Sequence, residues 1–290
     1  MLLFGIVTLW LMLSFAIFKN NYNRKESKEI ERKLIDSIVL NYKYLGVETK
    51  NNKLNWVKEY INTENGFWNF SFIFVKVHNV AKATKGTTFR AMAENIGLII
   101  SLTNKLKSNN WYTRGKSIWL TYELELSDNW KTIIPFRNDK NKLVRREAQI
   151  ALVTFLGWKS LVFFPYVEFP ISLWQQIRII DKLKSYYPKP DLSYLDKALK
   201  SENPFIKELL IRIIRCYKLN NYKWYIIEQL NSNRTDLTEC AIEILNSFEI
   251  SYEEIVQVHH KLECTTNTEQ HEMISNFVAL QKHQELLNIK

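Results

Sequence analysis

The chain has 290 residues, 46% of them apolar and 24% charged, with a formal net charge of +10. That length and balance allow one or two buried cores and exclude a chain disordered throughout. Only 7 Gly and 6 Pro occur, too few for the many turns of a sheet-rich fold, so an all-α protein is expected.

Residues 1–18, MLLFGIVTLWLMLSFAIF, carry no charged side chain. As a helix at about 1.5 Å per residue they reach about 27 Å, close to a hydrocarbon core of about 30 Å. A cleaved signal peptide needs a basic stretch before its apolar run, and none is present, although SFA at 14–16 loosely resembles a cleavage motif. A buried soluble helix needs a polar face, and none is visible. The expectation is a retained transmembrane anchor. Lys19, Arg24, Lys25 and Lys28 follow it. The positive-inside rule then predicts an outside N-terminus and a cytoplasmic body at the inner membrane.

Residues 19–86 read as a basic helical region beside that anchor. Residues 19–118 hold 18 Lys/Arg against 8 Asp/Glu, a surplus of 10. Residues 201–290 hold 9 against 13, a deficit of 4. The positive surplus near the anchor suits anionic lipid head groups. Ile30, Leu34, Ile38 and Tyr42 recur at spacing four, with Ile35 and Val39 widening the stripe. A second helix is expected from Asn51–Asn52, turning Leu54, Val57 and Ile61 inward. The aromatic stretch GFWNFSFIFVKVHNV at 66–80 lacks a partner strand and is read as a buried helix.

From about Thr87 one helix follows another. Ser172 with Gln175, Ser251 with Glu254, and Thr266 with Glu269 have capping-box spacing. Asn203 before Pro204 is a cap followed by a residue that needs no first-turn donor. The helices also share a template. Val144 is followed by Arg145, Ala148, Ala151 and Leu152; Ile206 by Lys207, Leu210, Ile213 and Ile214; Leu237 by Ala241, Ile244 and Leu245. Gln270 and Phe89 begin looser copies. From Phe89 through Val144, Ile206 and Leu237 to Gln270, the first two gaps are close to twice the last two. Each long gap has room for a further helical pair. A two-helix unit that repeats at such an interval is a solenoid signature.

The stretch LVRREAQIALVTFLG, Leu143–Gly157, resembles the HEAT-repeat family of armadillo-like α-solenoids, and NPFIKELLIRIIRCY and RTDLTECAIEIL are weaker copies. With the apolar first segment, the chain resembles membrane-anchored bacterial HEAT-repeat proteins. The resemblance covers roughly residues 87–287 and implies a right-handed α-solenoid over 87–290. It also implies a scaffold or adaptor that binds another protein, without catalysis or cofactor. The family has no shared catalytic residues to carry over.

In such a repeat the basic residue after the first apolar position, Arg145, is expected to hold a carboxylate or carbonyl of its neighbour. Arg146 has less structural reason to be there and is a candidate for function. Trp111, Arg114 and Lys116, in WYTRGKSIW, alternate bases and aromatics in a way that suits stacking on nucleic acid. Basic charge beside an anchor is explained more simply by lipid, so a nucleic-acid partner is the alternative rather than the expectation. His260, Cys264 and His271 could approach one another as metal ligands, but spacing this loose arises by chance and a packing or surface role is expected. The three cysteines, Cys216, Cys240 and Cys264, are read as reduced core residues. Glu239, Glu243, Glu249, Glu253 and Glu254 are read as a solvated face. HExxH, paired CxxC, GxSxG, Walker and GxGxxG motifs are all missing from the sequence.

Overall fold

A computed structural model of the protein describes residues 28–39, 52–81 and 86–288. The proposed anchor at 1–18, Tyr42 and the Leu54 side chain lie outside the described residues. All regular structure among the described residues is helical. The chain divides into two compact units, the first ending at Leu126 and the second beginning at Ser127.

In the first unit, α1 covers 28–39. Leu34 and Ile38 are fully buried, whereas Ile35 and Val39 are exposed. The stripe is therefore narrower than the sequence suggests: Ile35 and Val39 sit to one side of the i, i+4 line and face outward. Helix α2 (Asn52–Ile61) buries Val57 and Ile61. The aromatic stretch is helical: α3 runs Glu64–Ala81 and buries Phe67, Phe70 and Phe74. Phe70 stacks on Phe74 one turn later, with ring centroids 5.4 Å apart. Helices α4 (Gly86–Asn95), α5 (Leu98–Leu106) and α6 (Trp111–Glu123) complete the unit. Phe89, Met92, Leu98, Leu102 and Leu120 join α1–α3 in one core.

The second unit alternates longer and shorter helical pieces. The longer ones are α8 (Lys142–Leu156), α9 (Leu173–Tyr186), α11 (Pro204–Cys216), α13 (Thr235–Leu245) and α15 (Thr268–Asn288). The pieces between them are α7 (Trp130–Ile133), a 3-10 turn Gly157–Tyr166, α10 (Leu192–Leu199) and α12 (Lys223–Glu228), each shorter than its neighbours, and α14 (Tyr252–Glu263), which is about as long as α13. Lys142–Tyr166 is long and apolar enough to cross a membrane by length and composition, but 67% of its apolar window is buried inside the protein. It lies in the core of the second unit, with Val144, Ala148, Ile150, Ala151, Leu152 and Val153 all at 1% exposure or less.

The helix starts recur at one interval. The N-cap positions of α6, α8, α9, α11 and α13 hold Asn110, Asn141, Ser172, Asn203 and Arg234. Each follows the last by the separation of Glu147 and Arg178, which is 31 residues. Asn267, slightly beyond the next such interval, accepts the Glu269 and Gln270 amides and caps α15. The two long gaps in the sequence template are thus filled by helices starting after Asn110 and Ser172. The Phe89 copy is out of phase, since its distance to Val144 is not a multiple of this interval. The Ser251–Glu254 capping box forms with both of its bonds. The Ser172 box does not, because the Ser172 side chain makes no cap bond and Gln175 is buried against Gln149 instead. Asn267 takes the capping role expected of Thr266.

Candidate interaction surface

The repeated helix starts share a local mechanism. Two residues before the cap, Ser108, Asp139, Ser201 and Ser232 each accept the cap residue's own amide, at 2.8–3.2 Å. Asn110, Asn141 and Asn203 then accept amides of the first turn. Four residues after the cap, a long side chain reaches back to the loop. Arg114 donates to the Ser108 carbonyl at 2.7 Å, and Arg145 to the Asp139 carbonyl at 2.9 Å and the Lys140 carbonyl at 3.1 Å. Gln176 donates to the Ile171 carbonyl at 2.8 Å from the same position. Arg145 also lies 4.0 Å from the centre of the Phe169 ring. Its carbonyl partners are thus in its own preceding loop, not in a neighbouring repeat as expected. The reason is steric reach: the side chain of the first turn leans back towards the N-terminus.

Neighbouring hairpins of the second unit are tied at about one repeat's separation. Arg178 reaches Glu147, Asn203 reaches the Pro165 and Val167 carbonyls, and Tyr217 reaches the Tyr187 carbonyl. Arg215 pairs with Glu243, Lys223 with Glu254, and Gln270 bonds the Ser232 carbonyl. These partners are 28 to 38 residues apart. The template positions Ile206, Leu210 and Ala241 are fully buried with Val144, Ala148, Ala151 and Leu152, so they pack the core. Lys207 is half-buried.

The candidate functional side chains are partly consumed by the fold. Arg146 donates from Nε and Nη2 to one oxygen of Glu147, at 3.0 and 2.8 Å, and Arg178 meets the same oxygen at 3.3 Å. The Glu147 side chain is only 8% exposed, while those of Arg146 and Arg178 are 32% and 28% exposed. Two cations thus meet on one nearly buried anion, and both guanidiniums stay partly in solvent. In the first unit Lys116 sits over Tyr112, Trp68 and Phe72, 4.3, 5.0 and 5.2 Å from their ring centres. Trp111 is exposed and meets Tyr112 edge-on. Glu64 lies on Lys105 and accepts from Trp68, and these bonds hold its carboxyl below the usual range.

A cavity of about 190 Å³ in the first unit lies among Phe74, Phe89, Ala93, Leu124 and Leu126, with His78, Arg90 and Glu125 also lining it. Glu125 has φ 55°, a left-handed conformation that closes α6. His260 and Cys264 approach to 3.9 Å on one helix face, but no group of three metal-ligating side chains forms among the described residues, so His271 does not join them. Of the cysteines, Cys240 is buried, Cys216 half-buried and Cys264 exposed. Cys264 follows the end of α14, where it faces solvent rather than core. Burial pushes the Cys240 thiol up to about 11.

The most conspicuous exposed apolar group is at the start of α9. Leu173, Trp174 and Ile177 are 49%, 65% and 47% exposed. Nothing in the sequence singles them out, since Trp174 looks like any other aromatic until the phase of the repeat is known. The signal is Ser/Asp-x-Asn at the cap interval, present as SNN, DKN and SEN; the same pattern as SDN at 127–129 falls out of phase, so the equal spacing and not the tripeptide alone marks the repeat.

No family model matches the sequence, and no curated protein does. Among solved structures, an engineered protein determined as a Northeast Structural Genomics Consortium target is similar over 80% of this chain and 97% of its own, at 11% identity and a TM-score of 0.28. A likeness that slight adds nothing to the fold described above.

Proposed function

We propose that the chain is a membrane-tethered adaptor without catalytic activity, in which a HEAT-like α-solenoid holds a partner protein at the inner membrane. The observation that carries this is the recurrence of helix starts at one interval, with ties between hairpins about one repeat apart. Units that touch only their neighbours build a long surface from equivalent positions, which suits docking of an extended or folded partner. The apolar, uncharged run of residues 1–18 supplies the tether, and the basic residues after it favour a cytoplasmic body. Arg114 and Lys116 are engaged by carbonyls and rings of their own unit, so the adaptor reading is preferred to a nucleic-acid role.

Two experiments test this. Fractionation of the full chain should place it in salt-washed membranes, and a chain lacking residues 1–20 should be soluble and helical. Crosslinking in intact membranes followed by affinity purification should return the same protein repeatedly. Full-length chain in the salt-washed soluble fraction refutes the tether; repeated capture of nothing refutes the adaptor.

A further inference from the structure

The docking role proposed above can be sharpened to a kind of partner. In an α-helix each residue turns about 100°. Positions 3, 7, 10 and 11 after each cap therefore share one side, and in α8 these are Val144, Ala148, Ala151 and Leu152, all buried. Positions 2, 5 and 6 lie on the other side. At position 6, Glu147 of α8 and Arg178 of α9 meet at 3.3 Å, which sets these two helices in register. Helix α11 packs against α9 and starts at the same cap spacing, so it is next in the series. Position 2 is then Leu143, Trp174 and Phe205 in consecutive helices, the first and last half-buried and Trp174 65% exposed. Ile177, at position 5, broadens the row at its middle. At its α8 end stand the exposed Lys142 and the partly exposed guanidinium of Arg146.

We propose that this row is a track for an extended segment of the partner that carries a large apolar side chain at every third residue and an Asp or Glu at the end lying over α8. The spacing argument is geometric. Packed helices lie about 8–10 Å apart. A polyproline-II segment advances about 3.1 Å per residue and returns to the same face every three residues, or about 9 Å. Apolar side chains at i, i+3 and i+6 therefore fall on successive helices. A β-strand returns to one face every two residues, about 7 Å, and loses register with the helices. The charge argument fixes the polarity: the cations of Lys142 and Arg146 favour a carboxylate at that end. The Trp174 ring offers a flat, rigid apolar anchor of the kind that dominates binding energy.

The test is a random 12-residue peptide display selection against the purified full-length chain, followed by binding of a labelled consensus peptide measured by fluorescence polarisation. The expected consensus has apolar residues at spacing three with a flanking Asp or Glu. Trp174→Glu should weaken that peptide at least tenfold and Trp174→Phe should largely restore it, while Arg146→Gln should weaken it severalfold only when the peptide keeps its acid. Circular dichroism should be unchanged in all three variants. Peptides with another spacing, peptides held equally by Trp174→Glu, or no enrichment at all would each overturn the track. The adaptor role is judged separately: a partner captured in membranes by wild-type chain and Trp174→Glu alike leaves the adaptor standing and removes the track.

Discussion

Arg178 and Glu147 occupy the same position in consecutive helices, six residues after their caps, and meet at 3.3 Å. Arg146 closes on the same carboxylate oxygen at 2.8 Å. The carboxylate is nearly buried and its partners are partly wet, so the group aligns two hairpins where solvent still screens the cations. Glu147→Gln keeps the volume and removes the charge that both guanidiniums share. It should cost about 1.5–3 kcal/mol, the range for hydrogen bonds to charged groups, read as a lower urea midpoint at unchanged slope. Arg178→Gln should cost less, because Arg146 remains on the carboxylate. Equal stability of Glu147→Gln and wild type would show that the pair aligns nothing.

Asn203 does two jobs at one helix start. Its Oδ1 accepts the Phe205 amide at 2.9 Å, and its Nδ2 donates to the Pro165 and Val167 carbonyls at 2.9 and 2.8 Å. Asn203→Ala loses both the cap, worth about 1 kcal/mol, and a two-carbonyl clamp on the preceding hairpin. A total loss of about 2–3 kcal/mol is expected on the usual worth of such bonds. Asn203→Asp keeps the cap but turns an acceptor towards two carbonyls, and should rescue little of it. Ser172 makes no side-chain cap bond, so Ser172→Ala should change stability by less than about 0.5 kcal/mol. Thermal unfolding of the three variants side by side checks this ordering.

Helical class and core were legible from the sequence because they depend on local pattern. Val144, Ala148, Ala151, Leu152, Ile206, Leu210 and Ala241 share one template spacing in the sequence, and all are buried. The aromatic stretch of α3 was also legible as a helix, since it has no neighbouring strand to pair with. Phase was harder. A repeat read from apolar residues alone misses the copy starting at Gln175, because two of its template positions are polar: Gln175, buried and bonded to Gln149, and Lys182, where the Gln270 copy has Phe277. Side-chain destinations were the least legible. Arg145 and Arg146 are adjacent in sequence, yet one turns back to the loop carbonyls and the other to Glu147. Both partners lie within six residues, but which guanidinium takes which depends on the path of the preceding loop and on the pairing of Glu147 with Arg178 of the next hairpin, and residue spacing gives neither.

Gly157 ends α8 with φ 54°, a conformation that side chains resist, and a Cβ there would stand 2.7 Å from the Tyr187 ring. The ring has nowhere to go. Tyr187 Oη donates to the Thr154 carbonyl at 3.1 Å, and its own carbonyl accepts from Trp158 at 3.3 Å and Tyr217 at 3.1 Å. Gly157→Ala combines overpacking with backbone strain and should cost about 2–4 kcal/mol. Gly97 supplies the control. It also has positive φ, 78°, but a Cβ there meets nothing within 4 Å. Gly97→Ala should therefore cost about 1 kcal/mol, from backbone conformation alone. Comparable losses at both sites would remove the Tyr187 ring from the explanation.

Two carboxyls in the last hairpins make stability fall in acid. The Arg234 hydrogen bond holds Asp236 below its ordinary value of 3.8. Burial alone would raise Glu254, but the Lys223 ammonium at 2.7 Å and the Ser251 amide outweigh it and bring it below 4.5. A carboxyl depressed by folding is ionised more readily in the folded state than in the unfolded one. The folded protein then binds fewer protons in the acid range, and stability decreases as pH falls. The contribution is fully present above about pH 5 and disappears as pH drops through the folded values, below those ordinary carboxylate positions. At the other extreme, burial raises Tyr217 and Tyr222 to about 12 from 10. Their contribution is full below pH 10 and is lost as pH rises through about 12. Urea midpoints measured at pH 7, 5 and 3 should fall across the last interval, and Asp236→Asn with Glu254→Gln should flatten that fall. An undiminished slope in the double variant would place the acid sensitivity elsewhere, with Glu64 on Lys105 as the next carboxyl to remove.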